Sequence, residues 1–96
     1  MRVNFHPAAR AEFREAAHYY EGEQPGLGRR FTDAVETALQ RIAQNPLLFR
    51  VVFEDVRKCR VLRFPYGLLY KLRTDYVRVV GVMHLHRDPD YWKSRV

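Results

Sequence analysis

At 96 residues and 11.5 kDa, 47% hydrophobic and 14% aromatic with five Gly and five Pro, the chain has the composition of one small globular domain, residues 1–96, and not of a disordered tail or linker. A core of this size leaves no spare layer for a deep enclosed cofactor cavity, so an active site is expected as a surface groove, and the net charge of +6 directs attention to anionic partners. The single cysteine, Cys59, excludes an internal disulfide and a Cys-rich zinc site, and no signal-like stretch near Met1 or apolar run approaching the roughly 20 residues of a bilayer span is found, which predicts a cytoplasmic protein with no membrane partner.

Met1 to Phe5 reads as a short strand, and Pro7 suits a first helical position because its missing N–H would be unpaired there. From Ala8 to Glu21 the apolar set Ala9, Phe13, Ala16, Ala17 and Tyr20 recurs at spacings of three and four, with Arg10, Glu12, Arg14 and Glu15 on other faces, which predicts an amphipathic helix. Pro25, Gly26 and Gly28 mark a turn, and the stripe Leu27, Phe31, Val35, Ala38, Leu39 and Ile42 predicts a second helix ending at Asn45–Pro46. So short a connection makes an antiparallel hairpin, whose joint apolar face needs something to lie on. From Val56 onward β-branched and aromatic residues dominate in three runs, Val56 to Phe64, Tyr66 to Arg73 and Tyr76 to His86. The turn at Thr74–Asp75 is short enough for a hairpin, and the last run is apolar on both sides in its middle, as a central strand would be. A helical turn beginning at Pro89 would fold Tyr91 and Trp92 back onto the sheet. The expected fold is α+β in the order β-α-α-β-β-β: a helical hairpin on one face of a small, mostly antiparallel sheet, with the other face open and Arg-rich.

The charge is unevenly distributed. Residues 1 to 49 hold six basic and six acidic side chains, so the whole excess lies in Arg50, Arg57, Lys58, Arg60, Arg63, Lys71, Arg73, Arg78, Arg87, Lys93 and Arg95. Arginine dominates, and its planar fork grips phosphate or carboxylate with two parallel hydrogen bonds. Arg60 and Arg63 lie on one expected strand at odd spacing, so only one of them can face an open groove.

No phosphate-binding Gly loop, His-Glu metalloprotease pattern or Ser nucleophile elbow occurs. His84 and His86 share a strand face near Asp88 and Asp90, a weak metal pattern, and neither a metal nor a cofactor is expected. The same histidines beside Arg87, with Tyr91 four residues on, hold the parts of metal-free RNA cleavage: a base for the 2′-hydroxyl, an arginine for the phosphate charge and an acid for the leaving oxygen. Tyr91 and Trp92 also fit the plainer role of closing the sheet's edge. At the hairpin tip Tyr19, Arg29 and Arg30 mark a further candidate contact surface, while Tyr20 belongs to the apolar stripe.

Taken in order, Phe5–His6–Pro7–Ala8–Ala9, the helix end Tyr19–Tyr20–Glu21, Pro25–Gly26–Leu27–Gly28, Phe64–Pro65–Tyr66 with Tyr70, and His84 through Arg87 with Pro89 and Trp92 resemble the RelE/ParE toxin superfamily of bacterial type II toxin–antitoxin systems, in its ParE-like plasmid-stabilisation branch. The resemblance implies a growth-inhibiting toxin whose cognate antitoxin wraps an acidic or amphipathic segment around the sheet and its groove. The residues expected at the antitoxin or target contact are Arg57, Arg60, Arg63, Lys71, Arg73, Arg78, Arg87, Tyr91, Trp92, Lys93 and Arg95. The superfamily implies two targets: DNA gyrase, or ribosome-bound messenger RNA cut by a metal-independent endoribonuclease, for which Arg87, Tyr91, His84 and His86 would be the catalytic set. Ribonuclease members resembling RelE carry an arginine directly after the aromatic that opens the third strand, where this chain has Gly67, and that departure favours the ParE-like reading. A non-toxic binding module of the same fold is the third reading.

Overall fold

The computed structural model describes residues 1–96: β1 (Arg2–Phe5), α1 (Pro7–Glu23), α2 (Leu27–Gln44), β2 (Arg50–Phe53), β3 (Val56–Val61), β4 (Tyr66–Leu72), β5 (Tyr76–His84) and a 3-10 turn at Lys93–Arg95. α1 starts at Pro7, and His6 caps it by accepting the Ala8 N–H on Nδ1 at 3.0 Å. Two glycines make the hairpin for different reasons. Gly26 sits at φ +88°, and at Gly28 an added Cβ would stand 2.6 Å from the Ala17 carbonyl oxygen, so α1 and α2 touch only because that atom is missing. Glu21 closes the turn, its carboxylate accepting from Gly26 N and Gly28 N at 3.1 Å at the start of α2.

The sheet has five strands in the order β1-β5-β4-β3-β2, antiparallel except for the β1–β5 pair. The α+β class and the helical hairpin on one face are as expected, with four differences in detail. Arg50–Phe53 is an additional strand, paired with β3 through a tight turn in which Glu54 takes φ +49°. Its apolar run is too short to stand out from the loop before it.

β3 stops at Val61 and not at Phe64, because Arg63 turns to φ +72° and Pro65 has no N–H to continue the ladder. Arg60 lies on the sheet opposite Gly67 and Arg63 at a turn, so the expected alternation between the two does not apply.

The middle position belongs to β4, and β5 lies between β4 and β1. β5 is apolar on both faces because Leu69 pairs with Gly81 but Tyr70 with Val79, leaving Val80 as the extra residue of a bulge. Val77, Val79 and Val82 consequently join the core under the helices, while Val80 and Met83 face away from it.

That far face carries its own core, which revises the picture of an uncovered basic surface. Val56, Leu69, Val80 and Met83 lie beneath Trp92, which is 2% exposed, so the C-terminal segment crosses the sheet and brings its indole down on it. Only the part of the face beyond this segment is open. On the helix side, Phe31, Val35, Ala38 and Ile42 of α2 with Ala9 and Ala16 of α1 pack on Cys59, Val61, Leu68, Tyr70 and the three β5 valines.

Candidate functional site

The C-terminal candidates converge on one acid that the helical pattern places at the surface. Glu12 of α1 is 12% exposed at its side chain and accepts from Val82 N at 3.0 Å, from Arg95 Nη1 and Nη2 at 3.0 Å each, and pairs with Arg87 Nη1 at 3.5 Å. Arg95 also donates to the Val80 carbonyl at 3.1 Å. Because β1 pairs with β5 only as far as Val79, Glu12 and Arg95 occupy the outer edge of β5 where a neighbouring strand would continue. Both arginines also lie against the Tyr91 ring, Arg87 3.6 Å and Arg95 5.0 Å from its centroid. The Tyr91 hydroxyl is buried beside the Glu12 carboxylate without a well-formed hydrogen bond to it, and burial first, then that carboxylate, holds its pKa far above the ordinary phenol value.

His84 accepts from the His86 N–H on Nδ1 at 3.1 Å and stacks edge-on against the Tyr66 and His86 rings at 5.1 and 5.3 Å. Together with Arg87, Tyr66, Glu12 and Glu15 it lines a groove of about 180 Å³ between α1 and β5. His86 and Tyr91 do not line that groove. No three His, Cys, Asp or Glu side chains are grouped so as to hold a metal ion.

The other cations of the second half divide by whether they have a partner. Arg57 donates to the carbonyls of Leu47 at 3.2 Å and Phe49 at 2.7 Å, pinning the loop before β2. Lys71 and Arg73 flank Asp55 at 3.7 and 3.5 Å, Arg78 donates to Asn4 Oδ1 at 3.0 Å, and Lys93 pairs with Asp90 at 2.9 Å. Arg50, Lys58, Arg60 and Arg63 have no acidic or hydrogen-bonded partner for their side chains.

Three of those four meet on the sheet face opposite the helices. Arg50 and Lys58 stand directly across from each other in the β2–β3 ladder, an unfavourable place for like charges, and Arg60 follows two residues on. Arg50 and Lys58 line a groove of about 160 Å³ with Trp92 and Lys93. Gly67 makes room here, since a Cβ on it would lie 3.1 Å from Lys58 Cε. Burial, followed by Arg50 and Arg60, lowers the Lys58 pKa, so an anion seated among these cations would relieve the crowding. The indole Nε1 of Trp92, in the lining of the same groove, is buried without an acceptor.

Sequence reasoning missed Glu12, Arg50 and Lys58. Glu12 lies three residues after Ala9 and four before Ala16, at the rim of the α1 stripe, and that position was the available signal. For Lys58 the signal was its period-two spacing from Val56 and Arg60 on one strand face.

A family model described as the ParE toxin of the type II toxin–antitoxin system, parDE, matches residues 3–89. No curated protein matches the chain. Among solved structures, a chain of the chromosomal ParDE toxin–antitoxin system from P. aeruginosa superposes with a TM-score of 0.63 at 11% identity, over 90% of this chain and 97% of that one, a likeness of fold. No helix is long and apolar enough to cross a membrane. With a match that takes in both helices and the whole β2–β5 meander, the chain belongs to the ParE toxin family of type II toxin–antitoxin systems, as the toxin of a pair completed by a cognate antitoxin.

Proposed function

We propose that this toxin arrests growth in the cytoplasm by inhibiting DNA gyrase, and that the antitoxin silences it by laying an acidic segment across Arg50, Lys58 and Arg60 on the open part of the sheet. The observation that carries the choice of target is the engagement of Arg87 and Tyr91. Arg87 is paired with Glu12 and stacked on Tyr91, and the Tyr91 hydroxyl is buried. A general acid must reach the leaving oxygen, which the buried Tyr91 hydroxyl does not, and a transition-state arginine must be free to meet the scissile phosphate, whereas Arg87, although half exposed in the groove beside His84, already shares its charge with Glu12. Inhibition by binding a protein asks for neither.

The test is a supercoiling reaction with purified gyrase and relaxed plasmid, with and without the full-length toxin, beside an RNA cleavage reaction on translating ribosomes. The expected result is inhibited supercoiling, reversed by added antitoxin, with the messenger RNA intact. Cleavage of ribosome-bound messenger RNA with normal supercoiling would replace this reading by the ribonuclease one and assign the groove holding His84 and Arg87 to it.

A further inference from the structure

The largest cavity in the molecule serves neither the Glu12 cluster nor the basic sheet face. It is a groove of about 550 Å³ between the start of α2 and the β3–β4 turn. Its floor is aromatic: the Tyr20 and Phe64 rings meet edge-to-face at 5.0 Å, and both pack on Phe31, at 5.2 and 5.1 Å. This floor is rigid, because Phe31 is fully buried in the main core. Leu62, 55% exposed, forms one wall, and Arg30 and Arg63 stand at its borders.

The β3–β4 turn holds Arg63 at φ +72°, a left-handed backbone conformation that fixes where its side chain leaves the chain at the groove's border. The only acid in the lining, Asp33, is paired with Arg29 at 3.2 Å. Arg30 and Arg63 have no ionic partner, so the groove presents an apolar floor between two unpaired guanidiniums. A second copy of this chain, with its net charge of +6, is a poor occupant of such a place.

The two unpaired-cation surfaces ask for different partners. The sheet-face groove is small, polar and crowded with positive charge, and suits a run of carboxylates. The helix-side groove has the makings of a binding hot spot, an aromatic floor bordered by two arginines, and a volume that takes a large side chain. We propose that the helix-side groove is the surface by which the toxin holds its protein target, through a target segment carrying one large apolar side chain flanked by carboxylates. This inference rests on the reading that the chain acts by binding a protein and not by cutting RNA.

The test uses the full chain with Leu62→Asp and Arg63→Glu combined, and separately with Arg30→Glu on the exposed side of α2. Growth arrest on expression without antitoxin, inhibition of gyrase, and capture by the tagged cognate antitoxin are measured on each. Both variants should still be captured by antitoxin, which also reports that they fold, while arrest is lost and gyrase inhibition falls about thirtyfold or more, as for an interface anchor. Arrest that persists in both variants overturns the inference. Loss of antitoxin capture together with arrest, in variants whose thermal unfolding is unchanged, gives the groove to the antitoxin and overturns it as well. Wild-type arrest with untouched gyrase, abolished by the variants, would keep the surface and discard gyrase as the target. Wild-type RNA cleavage that survives in the variants would discard both.

Discussion

Two like-charged pairs on the same sheet face have opposite surroundings. Lys71 and Arg78 stand across from each other between β4 and β5, as Arg50 and Lys58 do between β2 and β3. At the first pair Asp55 and Asn4 attend the charges, and around the C-terminal arginines Glu12 does the same. At the second pair nothing does. Most of the second-half cations are thus engaged within the protein, and the binding surface proposed above is made of the minority left unpaired. Net charge speaks to a partner's sign, and the pairing pattern is what the proposed contact rests on.

The contrast breaks most severely at Glu12. Replacing it by alanine leaves Arg95, 15% exposed, without its carboxylate and Val82 N without an acceptor, and should cost about 3–5 kcal/mol in denaturant unfolding. A loss below about 1 kcal/mol would show that the arginines re-pair with solvent and that the cluster is no different from the basic face. Trp92→Ala opens the small core over Leu69 and Met83 and should cost about 3 kcal/mol by the same measurement.

Changes at the unpaired cations should separate stability from binding. Because its surroundings disfavour the charged form of Lys58, Lys58→Met should leave the free toxin as stable or slightly more so, within about 0.5 kcal/mol, while weakening antitoxin binding about tenfold and flattening its salt dependence. Arg57→Met, one residue away, should do the reverse, loosening the loop that Arg57 pins by its two carbonyls and sparing antitoxin affinity.

The smallest effect is alkaline. Tyr70, whose hydroxyl donates to the Pro46 carbonyl at 2.6 Å, has its pKa raised by burial from 10.0 to about 12, and Tyr91 is raised further. A folded-state pKa above the unfolded one gives stability that is constant below pH 10 and lost as pH rises through 12, so thermal midpoints should fall across that window. Tyr70→Phe should reduce the slope, and an unchanged slope would remove Tyr70 from this account.

What was legible in the sequence was local. The α1 and α2 stripes, the start at Pro7 and the glycine turn depend on residues within a few positions, and all four stand in the structure. The bulge at Val80 was not legible, because it depends on how β4 pairs with β5, and neither was the positive φ of Arg63, which the turn imposes. Glu12 and Arg95 are 83 positions apart, and no local period connects them. Arg57 and Arg60 read alike as cations of one strand, yet one is engaged by backbone carbonyls and the other is free. That difference is set by a loop that lies outside the strand.

The most direct test of the account is to induce the wild-type chain in cells without its antitoxin and, in one culture, follow growth, the supercoiling of a reporter plasmid and the 5′ ends of cellular RNA. The account predicts arrest with loss of negative supercoiling and no new RNA ends. New ends phased to codons, with plasmid supercoiling unchanged, would contradict it and return Arg87, Tyr91 and His84 to the centre of the mechanism.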